Sequence, residues 1–151
     1  MKKTLLSLFA ILLITSTVLA QHNNREKIKA LKTSYITNAL NLSPKEAEQF
    51  WPVYNLYSNK IQRLKMQLEV GLKREIKLAG GVENITNVEA QKLIDKFTQL
   101  EQQITDTKLI LINELSKIIS AKKIIRLKKA ERDFNRRILQ EYGKRRRMQG
   151  Y

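Results

Sequence analysis

The chain has 151 residues, enough for one domain, with 29 Lys and Arg against 14 Asp and Glu and a formal net charge of +15. It has no cysteine and a single histidine, His22. Disulfides, Cys/His metal clusters and Cys- or His-based nucleophilic pairs are therefore excluded within one chain.

Residues 1–20 read as a cleavable signal peptide. Lys2 and Lys3 form a basic start, Leu5 to Val18 an apolar run, and Val18-Leu19-Ala20 a cleavage sequence. The apolar run is short for a spanning helix and polar sequence follows at once. Cleavage after Ala20 leaves Gln21 to Tyr151, with 27 basic and 14 acidic residues. The expected location is the periplasm.

Four helices follow, over about 24–40, 44–79, 87–118 and 121–142. In the first, Ile28, Leu31, Tyr35 and Ala39 form the apolar face. The second opens on Ser43-Pro44-Lys45-Glu46, with a hydroxyl cap, proline at the first helical position and glutamate three residues after the cap. Leu42 and Ala47 can staple it. Its seam runs Ala47, Phe50, Tyr54, Tyr57, Ile61, Leu64 and Leu68, in steps of three and four. Phe50, Trp51, Tyr54 and Tyr57 read as a core stripe, and Pro52 as a bend that does not end the helix. Gly80-Gly81 closes it as a left-handed cap.

Thr86-Asn87-Val88-Glu89 starts the third helix, whose seam is Ala90, Leu93, Phe97, Leu100, Ile104, Leu111, Leu115 and Ile118. Ser120 caps the fourth, with Ile124, Leu127, Phe134 and Ile138 inside. Residues 144–151 are expected to form a solvated basic tail, leaving 21–143 as a single all-helical domain. No segment alternates with period two, so the fold class is all-α. The second helix alone would span ~54 Å at 1.5 Å per residue. That points to an elongated layer of helical hairpins, or to a bundle completed by a second chain, and hence to a homodimer.

Leu42-Ser43-Pro44-Lys45-Glu46 resembles the Leu-Thr-x-x-Gln motif of the Spy/CpxP family of periplasmic chaperones and envelope-stress proteins. Ile119-Ser120-Ala121-Lys122-Lys123 stands where that family carries its second copy. Ser replaces Thr in both, and Glu46 and Lys123 replace the glutamines. The resemblance covers the mature chain. It implies a helix-start role for Leu42, Ser43, Glu46, Ile119, Ser120 and Lys123, a cradle-shaped antiparallel homodimer, and ATP-independent holding of unfolded envelope proteins or damping of an envelope sensor.

The residues themselves point the same way. Lys60, Arg63 and Met66 on helix two, and Lys128, Lys129, Arg132, Arg136 and Arg137 on helix four, mix cations with apolar groups as a client-binding surface would. Their bland alternative is a solvated helix face. No catalytic set, cofactor motif or metal-ligand spacing is present, so we expect no enzyme and no cofactor. His22 is read as a mobile polar residue. Export argues against a physiological nucleic-acid partner. Rival readings are a regulatory partner of an envelope sensor without chaperone activity, a Skp-type chaperone, and a protein that binds an anionic membrane surface through its cationic C-terminal third.

Overall fold

The computed structural model of the chain describes residues 26–149. The signal sequence, its cleavage site and His22 lie outside the described residues. The fold is all-α. Helix α1 covers 26–40, α2 Pro44–Leu78, α3 Asn87–Ser116 and α4 Ala121–Gln149, with a 3-10 turn at Val82–Asn84 between α2 and α3. Among the described residues there is no strand.

The starts follow from local chemistry. The Ser43 hydroxyl accepts from the Glu46 amide at 3.2 Å, and the Ser43 amide donates to the Glu46 carboxylate at 2.7 Å. Thr86 and Glu89 repeat this box at 3.3 and 3.0 Å. Each box satisfies amides that the first helical turn leaves without an intrahelical acceptor. The Glu89 carboxyl is held below its ordinary value by the Thr86 amide and hydroxyl. At the other end of α2, Gly80 donates to the Lys77 carbonyl and Gly81 to that of Ile76, at 3.1 and 3.0 Å. This is a Schellman closure, with φ of 79° at Gly80. The side-chain amide of Asn84 donates to the Gly80 carbonyl at 3.0 Å, tying the turn back to the helix end. Asn41, with φ 49°, ends α1 in the same left-handed region, which asparagine tolerates better than most residues.

α2 runs through Pro52 without interruption, and Pro52 itself is exposed. At 35 residues it is about 52 Å long.

The chain divides into two compact units, one of residues 42–125 and one of residues before 42 together with those from 126 onward. In the first, α2 lies along α3 as a hairpin. Phe50, Tyr54 and Leu64 are buried from α2, and Ile104, Thr107, Leu111 and Leu115 from α3. Phe50 and Tyr54 stack at 5.3 Å between ring centroids, and Trp51 meets each edge-on, at 5.1 and 5.5 Å. The expected aromatic stripe is therefore core, with Trp51 and Tyr57 half-buried at its margin. Toward the glycine turn the seam thins. Leu68, Ile76, Leu93, Phe97 and Leu100 are only half-buried.

In the second unit, Ile36 and Leu40 of α1 are fully buried, as are Leu127, Ala130 and Phe134 of α4 to within a few per cent. Tyr35 lies 5.7 Å from Phe134 between centroids.

Three expectations need correction. The face of α1 is Ile28, Lys32, Tyr35, Ile36 and Leu40. Leu31 is 59% exposed and Ala39 is exposed. Two overlapping apolar patterns compete there. The one carrying the branched Ile36 and Leu40 wins, because it buries more apolar area than Leu31 with Ala39. Its cost is a half-buried Lys32, whose ammonium burial pushes down while Glu131 pushes it up. In α3 the seam continues through Thr107, whose hydroxyl donates to the Gln103 carbonyl at 2.7 Å and so is satisfied inside the core. Finally, Gly143 does not end α4. The helix continues through Lys144-Arg145-Arg146-Arg147 to Gln149, so the expected basic tail is helical over 144–149. Lysine and arginine propagate helices well, and they suit the negative end of the helix dipole.

We expect Phe50→Ala to cost about 3–5 kcal/mol, since the ring is fully buried and stacked. Thr86→Ala should cost about 1 kcal/mol through loss of its cap. Urea unfolding followed by far-ultraviolet circular dichroism measures both. Equal effects would contradict the assignment of Phe50 to the core.

Candidate functional site

The two segments singled out by their similarity to a repeated helix-start motif meet in space. Leu42 and Ile119, the first residue of each, are buried. The Lys123 ammonium donates to both oxygens of the Glu46 carboxylate, at 2.8 and 2.6 Å. The two residues are 77 positions apart. Both side chains are about three-quarters buried, with 20% and 26% of their surface exposed.

Glu46 therefore serves two helix starts. On α2 it completes the box with Ser43. On α4 the cap at Ser120 is weaker, since its hydroxyl accepts from the Lys123 amide at 3.4 Å. Lys123 sits three residues after that cap, where a helix dipole favours a carboxylate rather than an ammonium. Glu46 supplies the missing negative charge from another helix. The Lys123 ammonium, together with the Ser43 amide, holds the Glu46 carboxyl below its ordinary value.

The expected client-binding residues fall in both units. On α2, Lys60 and Arg63 are exposed and Met66 is 59% exposed. Helical spacing continues the Arg63 and Met66 face through Val70, Lys73 and Lys77, all exposed, and back through Leu56. This strip intersperses large apolar groups with cations. Val70 and Leu56 are members that composition alone did not pick out. Their signal was present as apolar residues on the side opposite the seam.

On α4, Lys128, Lys129, Arg132, Arg136 and Arg137 are all exposed. Three of them are engaged within their own unit. Lys129 and Arg136 donate to Asp133 at 2.7 and 3.3 Å. The Arg137 guanidinium lies over the Tyr35 ring at 5.6 Å, within cation–π range. Lys129 first, then the neighbouring arginines, hold the Asp133 carboxyl below its ordinary value.

Among the described residues no group of three or more His, Cys, Asp or Glu could hold a metal ion, and no helix is long and apolar enough to cross a membrane. No family model, curated protein or solved structure matches the chain.

Glu46→Gln and Lys123→Gln should each lower stability, since each leaves the other's charge in a partly buried place. The double variant should recover part of the loss, because two amides can bond each other and still accept the Ser43 amide. A double-mutant cycle in urea checks this, and strict additivity would contradict the coupling. The pH dependence has a fixed sign. The folded Glu46 carboxyl is lowered, so its stabilisation is present above the ordinary glutamate value and is lost as pH falls through the folded one. Thermal unfolding across that acid range should fall less steeply for Glu46→Gln than for the parent.

Proposed function

We propose that this chain is an exported, ATP-independent holding chaperone or envelope-stress protein of the Spy/CpxP kind, acting in the periplasm on unfolded envelope proteins. The observation that carries the reading is the outer strip of α2. Leu56, Met66 and Val70 are each about three-fifths exposed, and they share one helix face with Arg63, Lys73 and Lys77. A monomeric domain gains nothing in stability from large apolar side chains held in water between cations. An unfolded polypeptide gains from both. Charge speeds encounter, and apolar contact slows release without the deep burial that would make release too slow. The meeting of the two helix-start segments through Glu46 and Lys123 supports the family part of the proposal.

A homodimer belongs to the same proposal. The α2–α3 hairpin has a half-buried seam toward its turn, and Leu78, Val82, Val88 and Ile94 are more than half exposed there. A second copy in an antiparallel cradle would cover part of that surface. The chain works without catalysis or a cofactor in this reading. The regulatory alternative, damping of an envelope sensor, uses the same strip for a folded acidic partner.

The test is an aggregation assay. Residues 21–151 are mixed, without nucleotide, with a chemically unfolded envelope protein. We expect light scattering to be suppressed near equimolar ratio. Met66→Gln with Val70→Gln should weaken suppression several-fold with the helical circular-dichroism signal unchanged. Scattering unaffected by the parent protein would leave the sensor partner as the reading. Sedimentation equilibrium at micromolar concentration tests the dimer, and a stable monomer would remove it.

A further inference from the structure

We infer that the outer face of α4 docks on an anionic lipid surface, its cations taking up the phosphoryl headgroups. This does not rest on the chaperone reading. From residue 126 to 149 the helix carries ten Lys and Arg and three acidic residues. The acids do not share the outer face. Glu131 and Asp133 are half-buried, and Asp133 is paired with Lys129 and Arg136, so Lys128 and Arg132 carry more of the outward charge than Arg136. Glu141 follows Phe134 by seven residues, on the side that faces α1, and sits 3.9 Å from Lys144. Turned outward are Lys128, Arg132, Asn135, Arg136 and Leu139, all exposed.

Two details favour a flat anionic surface over an acidic polypeptide. Leu139 is 73% exposed in an open trough of about 480 Å³ bordered by Arg132, Arg136 and Gly143. The exposed aliphatics of this face, Ile125 and Leu139, stand fourteen residues apart with cations between them, unlike the α2 strip, where Met66 and Val70 are one turn apart and could grip an extended chain. Gly143 costs an exposed helix about 1 kcal/mol relative to alanine. A side chain there would meet nothing within 4 Å, so crowding within the chain does not demand glycine. Its absence of a side chain lets the helix backbone come close to a flat partner beside Leu139. The helix then continues through four successive cations, Lys144 to Arg147, and ends at Gln149. A cationic face with two widely spaced apolar inserts, Ile125 and Leu139, is the pattern that binds anionic headgroups by charge with shallow insertion.

Vesicle co-sedimentation of residues 21–151 tests this, with phosphatidylcholine vesicles and with vesicles that also contain phosphatidylglycerol. We expect binding to the anionic vesicles only, weakening as salt rises. Lys128→Gln, Arg132→Gln and Arg136→Gln together should lower affinity roughly a hundredfold, about fivefold per charge. Lys73→Gln, Arg74→Gln and Lys77→Gln together remove the same charge from α2 and should change it far less. Leu139→Ser should weaken binding several-fold at unchanged charge. Equal binding to both vesicle types would overturn the inference, as would equal losses for the two triple variants. Inorganic phosphate at the same phosphate concentration should not displace the protein. Displacement by it would show an anion site rather than a surface. Displacement by soluble polyglutamate at matched charge would assign the face to acidic polypeptide. The aggregation assay is read separately, so either proposal can fail alone.

Discussion

The contact that closes the unit of residues 42–125 is a carboxylate shared between two helix starts. α2 and α4 each begin with a hydroxyl cap after a buried aliphatic residue. Only α2 has a carboxylate of its own at the third position, where the amide dipoles want one. By accepting from the Lys123 ammonium, Glu46 neutralises a cation that would otherwise face the positive end of α4. It also fixes the two ends of the segment that forms the α2–α3 hairpin. The closure matters because the hairpin is long and its seam is thin. Buried side chains gather toward the joint, at Phe50, Tyr54 and Leu64 and at Ile104, Thr107, Leu111 and Leu115, and beyond them the seam is half-buried. The joint and the aromatic stack beside it are where this unit holds its order.

That arrangement explains what the sequence could and could not disclose. Caps are local, so Ser43, Thr86 and the glycine pair could be read directly. Seams are periodic, so α2, α3 and α4 could be placed within a residue or two at every end but the last. The misreadings occurred where a local rule met a tertiary choice. Ile28-Leu31-Tyr35-Ala39 and Ile28-Lys32-Ile36-Leu40 are both helical spacings, and only contact with α4 selects the second. Thr107 was passed over because it is polar, yet its hydroxyl bonds one turn back and its methyl lies in the core. Gly143 looked like a stop, but a glycine ends a helix only when the backbone turns left-handed there. That happens at Gly80 and Gly81 among the described glycines. The Glu46–Lys123 bond was the least legible feature. Each residue, taken alone, looked like a departure from a glutamine pattern. Their opposite signs at equivalent positions of two similar segments were the available clue.

Charge is divided unevenly between the two units. Residues 42–125 carry 13 cations and 10 acids, while the described residues of the other unit, 26–41 and 126–149, carry 13 cations and four acids. In the first unit charge separates apolar groups, as along Arg63, Met66 and Val70. In the second it stands almost by itself. Surfaces of these two kinds respond differently to the same conditions. Exposed charges more than about 8 Å apart are screened at physiological ionic strength, so the outer face of α4 weakens as salt rises. The α2 strip keeps the contact of its apolar side chains, and loses mainly speed of encounter.

The shared carboxylate answers to a third condition. Its bonds to Lys123 are short and partly shielded from solvent, so salt screens them less than it screens α4. Protonation, in contrast, removes the Glu46 charge from both helix starts at once, below the range in which an ordinary glutamate titrates. Salt therefore acts chiefly on the surface of this molecule, and acid on its joint and on the other lowered carboxylates, Glu89 and Asp133. A loss of binding at high salt with the helical signal intact belongs to the cationic faces. A loss at low pH that tracks the helical signal belongs to the lowered carboxylates Glu46, Glu89 and Asp133 together, and the part that Glu46→Gln removes belongs to the meeting of the two helix starts, which carries the α2 strip with it.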